Sequence, residues 1–232
     1  MTKKIKISSA KKEKRDMLEA LTCFSTPIYS IKKPNFLVSN REVVDDYLSK
    51  VRNPIGGLHI HPYQSENIYN DSRMLEFSTY IAETTWNILA SQGFNMDPFA
   101  TNMIEMWAQE YHNTSQMPQH IHGSGSQIIG FYFLKCPTNC SKILIHDARP
   151  GKVQINLPET DINQLTHASL MCNFTPEEGM LLFTNSWVPH SFTPHTSDEP
   201  LTFIHFNVGI IDKNLVAQSI VPTSTASAPT IV

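Results

Sequence analysis

The sequence predicts a mainly β domain with flanking helices, folded as a jelly roll. Three observations carry this. From residue 102 onward, short runs rich in β-branched and aromatic residues alternate with turn chemistry. Before that, two stretches place apolar residues at helical spacing. At 232 residues and 41% hydrophobic, the chain fits one such domain better than two.

The elements follow in order. Phe24-Ser25-Thr26-Pro27-Ile28-Tyr29 reads as a short edge strand. Ser39-Asn40-Arg41-Glu42 has the form of a capping box, with Val43, Val44, Tyr47, Leu48 and Val51 behind it and Pro54 as a stop. A longer helix is expected over 72–92, where Met74, Leu75, Phe77, Ile81, Ile88 and Leu89 form an apolar stripe. Asp71 or Ser72 can cap it, and Gly93 can end it. Strands are expected at 103–111, 127–134, 142–147, 153–155, 168–174, 180–183, 190–193 and 201–208. Turn residues separate them, as in Arg149-Pro150-Gly151 and Glu177-Glu178-Gly179. The spacing suits a sandwich or jelly roll with helices packed on one sheet. The expected division is a basic flexible arm over 1–22, a single domain over 23–218 and a low-complexity flexible tail over 219–232. Within the domain, 36–95 gives helical support and 102–209 the β core.

The net charge of −3 conceals an asymmetry. Residues 1–15 hold seven basic residues against Glu13, a local charge of +6 that leaves −9 elsewhere. Such an arm reads as a solvated tail, with nucleic acid or an acidic partner as the alternative. No 18-residue apolar run offers a membrane span, and the N-terminal residues lack a secretory signal's apolar stretch. Cys23, Cys136, Cys140 and Cys172 are too few and too irregular for a disulfide framework. Cys136-Pro137-Thr138-Asn139-Cys140 reads as two reduced thiols in a hairpin loop, and a cytoplasmic location is expected. The chain has no nucleophile elbow, Walker loop or dinucleotide fingerprint.

The chemistry-bearing residues are histidines. His120 and His122 flank one residue, and His190 stands 68 positions beyond His122. In an extended strand, residues i and i+2 share a face, so one strand can offer two imidazoles to one ion. A strand pairing alongside can add the third. His59 and His61 repeat the spacing, but no distant histidine in a matching strand accompanies them, so they are expected not to ligate.

Around these histidines the chain resembles the Fe(II)- and 2-oxoglutarate-dependent oxygenases, in particular small bacterial and phage members. The resemblance spans roughly 102–209, with a fainter echo in Ser25–Tyr29 and the helices. It rests on Trp107, His120-x-His122, Gly130-Phe131-Tyr132-Phe133-Leu134, Asp147-Ala148-Arg149-Pro150, Gly179-x-Leu181-Leu182-Phe183, His190 and Phe206-Asn207. It implies a double-stranded β-helix, the cupin-like form of the jelly roll. It also implies Fe(II) at His120, His122 and His190, with 2-oxoglutarate and O2 as co-substrates and hydroxylation as the reaction. The location implied is the cytoplasm of a bacterium or a phage-infected host.

Two positions depart from the family pattern. His122 stands where the wider superfamily has aspartate, so three neutral imidazoles would hold the ion, and imidazole suits Zn, Cu and Ni as well as Fe. Pro200 and Leu201 stand where a basic residue would clamp the distal carboxylate of 2-oxoglutarate. Arg149 and Tyr111 are the leading replacements, the latter matching a co-substrate tyrosine of related prolyl hydroxylases; His205 and Lys142 are the others. Alternation puts Leu201, Phe203, His205 and Asn207 on one face. Two rival readings stay open: a three-histidine metalloenzyme independent of 2-oxoglutarate, and a non-catalytic jelly-roll module associated with a virion. The substrate class (protein, nucleic acid or small molecule) and a homodimer stay equally open.

Overall fold

The computed structural model describes residues 18–52, 61–123, 125–155 and 157–214. The expectations for the far N-terminal arm, Pro54, His59 and the tail over 219–232 lie outside them. In chain order the elements are β1 (Ile28–Lys32), α1 (Leu37–Ser49), β2 (Tyr63–Gln64), α2 (Leu75–Ser91), β3 (Phe99–Tyr111) and β4 (Met117–His120). There follow β5 (Ser126–Lys135), β6 (Ile143–His146), β7 (Met171–Phe174), β8 (Met180–Asn185), β9 (His190–Phe192) and β10 (Leu201–Asp212).

The strands form two antiparallel sheets. The major sheet runs β1-β8-β5-β10-β3-β2 and the minor sheet β4-β9-β6-β7. From β3 to β10 the chain alternates between sheets, except that β6 and β7 pair within the minor sheet, giving the expected double-stranded β-helix. The loop Cys136–Cys140 is therefore a crossover between sheets and not a hairpin, since β5 and β6 do not pair. All four cysteines are free thiols.

Burial on both faces of the major sheet explains why its strands read as nearly continuous apolar runs. On one face, Ile128, Tyr132, Ile204 and Phe206 pack with Val44, Leu48, Phe77 and Ile81 of the helices. On the other, Ile129, Phe131, Phe133, Leu201 and Phe203 pack with Ile143, Ile145 and Phe192 of the minor sheet. The second cluster is the barrel interior. Leu201, Phe203 and His205 do share that inward face, as alternation requires.

Three local expectations are corrected. Val153–Ile155 is not a strand; Pro150–Gln154 forms a 3-10 turn, with Pro150 pre-set for its first position and lacking the N–H a ladder needs. The capping box at Ser39 does not start α1, because Pro34–Phe36 has already begun a 3-10 turn that runs into it. The edge strand begins at Ile28 instead of Phe24. The second helix matches its signals. Asp71 accepts the Arg73 N–H at 2.9 Å, and Gly93 adopts φ +94°, a left-handed conformation glycine takes without strain.

Helix α1 is tied to the sheet by charge as well as packing. Arg52, just past its end, grips the buried Glu110 of β3 at 2.5 and 3.0 Å, and His112 meets the same carboxylate at 2.8 Å. Burial pushes the Glu110 carboxyl up, but the hydrogen bonds from Arg52 and His112 outweigh it and the net displacement is downward.

Candidate metal centre

Strand pairing assembles two of the three histidines. β4 lies beside β9 with His120 directly opposite His190, and their ring centroids are 4.4 Å apart. β4 is an edge strand, so Pro118 withholds no hydrogen bond from a second neighbour, and the register slips between Met117 and His120.

His122 falls beyond the end of β4, which corrects the expectation that one regular strand presents both imidazoles. Its placement comes from the β8–β9 turn. The His122 N–H donates to the Ser186 carbonyl at 2.9 Å, and Ser186 is itself held by the Gln127 and Ser126 carbonyls. The His122 ring then stacks on His190 at 5.2 Å with planes 12° apart, and its Nε2 lies 3.2 Å from Nε2 of His120. One nitrogen from each of the three residues lies within 4.8 Å of the others. Two nitrogens bound side by side at about 2.1 Å to one ion are roughly 3 Å apart, so this spacing suits shared ligation.

The protonation pattern suits it too. Nδ1 of His120 faces the Pro118 carbonyl at 2.9 Å, and Nδ1 of His190 faces the Val188 carbonyl at 3.0 Å. A carbonyl only accepts, so each Nδ1 carries the proton and each Nε2 keeps a lone pair. Burial lowers His122 to about 4, and lowers His190 to about 3 despite its bond to Val188. Both are neutral at pH 7, the state in which imidazole ligates. The Nε2 of His190 is buried without a hydrogen-bond partner, a cost of about 1–3 kcal/mol that an ion would relieve. The donor set fits a divalent transition metal.

The other candidates divide by place. His205 reaches the centre: it is 3% exposed, 5.0 Å from the His122 ring, 4.8 Å from Phe131 and 4.8 Å from Trp107. Tyr111 lies deeper in the barrel, fully buried between Phe192 and Phe203 at 5.3 Å from each, with its hydroxyl unpartnered. Leu201 sits opposite it, fully buried. Arg149 is exposed and bound to Asp147 at 2.9 and 2.7 Å. It borders a cleft of about 570 Å³ with Ile28, Ile145, His146 and Phe174, whose lining contains none of the three converging histidines. Lys142 is exposed just before β6. Ser186 was not foreseen as the anchor of His122, since a backbone carbonyl leaves no trace in sequence.

Residues 105–207, which build this centre, match a family described as "Putative 2OG-Fe(II) oxygenase". The match makes that segment similar to the core of this family. Among solved structures, a Pseudomonas putida prolyl-4-hydroxylase aligns with TM-score 0.56 and 9% identity over 80% of this chain and 93% of its own. The non-haem α-ketoglutarate-dependent carbocyclase SnoK of nogalamycin biosynthesis aligns at 0.56 and 11%, over 88% and 90%. HygX from Streptomyces hygroscopicus, solved with nickel and 2-oxoglutarate bound, aligns at 0.52 and 9%, over 79% and 83%. At these identities the likeness speaks for the fold. A search of curated protein sequences finds no match.

Proposed function

We propose that this protein is a dioxygenase that hydroxylates its substrate, with Fe(II) at His120, His122 and His190 and 2-oxoglutarate as co-substrate. The observation that carries the reading is the set of three imidazoles whose ring nitrogens converge in the barrel, two of them, His122 and His190, held neutral by burial. Iron bound there supplies the redox chemistry in which 2-oxoglutarate, O2 and a C–H bond give succinate, CO2 and an alcohol. The chain's own share is positioning and exclusion of water. The bonds that His120 Nδ1 and His190 Nδ1 donate to the Pro118 and Val188 carbonyls fix two ring orientations, and the Ser186 carbonyl holds the His122 backbone N–H. Phe131, Phe192 and Phe203 wall the interior against water. The Tyr111 hydroxyl, buried with no partner, is the donor offered to the distal carboxylate. Arg149 and Lys142 would have to turn inward from exposed positions to serve there.

A second reading draws on Leu201. Among the described residues no lysine or arginine is buried, so the barrel offers a distal carboxylate no cation at rest. That favours a three-histidine oxygenase that works without 2-oxoglutarate. Free thiols and the absence, among the described residues, of any helix able to cross a membrane support a cytoplasmic setting. Anaerobic Fe(II) titration followed by 2-oxoglutarate separates the readings. A visible metal-to-ligand charge-transfer band is expected; its absence at millimolar 2-oxoglutarate, with iron bound, would overturn the first.

A further inference from the structure

We infer that His205, backed by Trp107, is the hydrogen-bonding partner of the carboxylate that a 2-oxo acid presents at the metal. This rests on the oxygenase reading and adds to it a binding residue distinct from any distal clamp. His205 sits on β10, the strand flanked by both β5 and β3, where its neighbours across the ladder are Phe131 and Trp107. It faces the minor sheet and lies 5.0 Å from the ring of His122. Neither of its ring nitrogens has a hydrogen-bond partner, although the residue is 3% exposed. The indole Nε1 of Trp107, on the ring 4.8 Å away, is likewise buried and unpartnered.

Buried polar groups are nearly always paired, and a histidine serving only as packing would keep one nitrogen on a carbonyl or hydroxyl. Here two adjacent N–H-bearing rings stand idle on the same side of a metal centre. An imidazole carries at least one N–H in either protonation state, so His205 has a donor to offer. The Trp107 indole can only donate. Two donors beside an ion whose three ligands are uncharged call for an anionic oxygen.

The level of His205 in the barrel decides which carboxylate it meets. The next inward residue on β10, Phe203, is stacked on Phe192 at 5.1 Å. Tyr111 stands four residues beyond Trp107 on β3, about 13 Å along the strand. One carboxylate cannot meet both His205 and Tyr111, and His205 is the one beside the ligating rings. The carboxylate next to the ketone is therefore its partner.

The test uses full-length protein loaded with Co(II) under anaerobic conditions, with pyruvate and 2-oxoglutarate titrated against the cobalt absorption bands. Pyruvate has only the proximal carboxylate. In His205→Leu, both acids should bind at least about tenfold more weakly, by a similar factor, while Co(II) affinity stays unchanged. His205→Asn, which restores a donor, should recover part of the loss, and Trp107→Phe should weaken both acids to a smaller degree. Unchanged affinity for both acids in His205→Leu and His205→Asn would make His205 a packing residue and overturn the proposal. Loss confined to 2-oxoglutarate would overturn it by assigning His205 to the distal end. If the wild-type protein holds Co(II) yet binds neither acid, the co-substrate reading falls and takes the proposal with it. That failure shows in wild type, before any variant is measured.

Discussion

Phe192 and Phe203 stack face to face across the two sheets, with centroids 5.1 Å apart and planes 6° from parallel. Phe192 lies two residues after His190 on β9, and Phe203 two residues before His205 on β10. Residues i and i+2 share a face, so the stack lies directly behind the three-histidine cluster and braces it. Phe203→Ala should cost about 3–5 kcal/mol of stability, as for other buried aromatic truncations. Chemical denaturation measures this, and metal affinity should fall with it as the His190 backbone loses its support. Full retention of both would show that the stack is not the brace.

His190→Ala and His120→Ala should each abolish tight stoichiometric metal binding and leave the fold intact. The interior is held by the apolar cluster around Phe131 and Phe203, so the metal is not what drives folding. Metal content after gel filtration, read beside circular dichroism, checks both halves. Stoichiometric metal retained by both variants would refute the ligand assignment.

The sheets were legible because Ile128–Leu134 and Leu201–Val208 are buried on both faces, which forces β-rich apolar runs. The helix at Leu75–Ser91 was legible for its stripe and its punctuation by Asp71 and Gly93. The centre was legible as a set of residue types at given spacings. Its geometry was not. His122 is placed by a carbonyl of Ser186, and β4 is four residues with a proline inside, too short and irregular for any periodicity to announce. Val153–Ile155 misled because β-branched residues speak for a strand, while Pro150 and Gly151 fix the local backbone.

His122→Asp should fold normally and still hold a divalent ion. The substitution adds a carboxylate and lowers the charge of the site by one unit. Preference should move away from Cu, Ni and Zn towards Fe and Mn, which favour oxygen donors. Competition between metals, read by elemental analysis, shows the change. An unchanged profile would place His122 outside the ligand set.

The Arg52–Glu110 pair makes a pH prediction of definite sign. Glu110 is held below its ordinary value of 4.5, so its contribution is complete above that value and fades as pH falls through the lowered one. Arg52→Met leaves a buried carboxylate with only His112 beside it. The variant should lose about 1–2 kcal/mol near pH 7, a figure moderated by the partial exposure of Arg52. The gap between variant and wild type should narrow as pH falls below 4.5, where both carboxyls take up a proton. A gap that stays constant through that range would mean Arg52 acts by packing alone.

Tyr111→Phe separates the two enzyme readings with an almost isosteric change. The hydroxyl is buried and unpartnered, and burial holds it well above its ordinary pKa, so it is a neutral donor with nothing to donate to. Removing an unsatisfied buried hydroxyl relieves a desolvation cost, so the ligand-free variant should be as stable as wild type or more so, by up to about 1 kcal/mol. For a domain of this size that is a rise in Tm of about 2–4 °C. If the hydroxyl meets the distal carboxylate, 2-oxoglutarate should bind the metal-loaded variant roughly tenfold to a hundredfold more weakly, since a hydrogen bond to a charged group contributes about 1.5–3 kcal/mol. Pyruvate, which has no distal carboxylate, should bind both proteins alike. A more stable variant with undiminished 2-oxoglutarate affinity would exclude Tyr111 from the co-substrate site. With Leu201 opposite it and no buried cation among the described residues, the reading without 2-oxoglutarate would then take the lead.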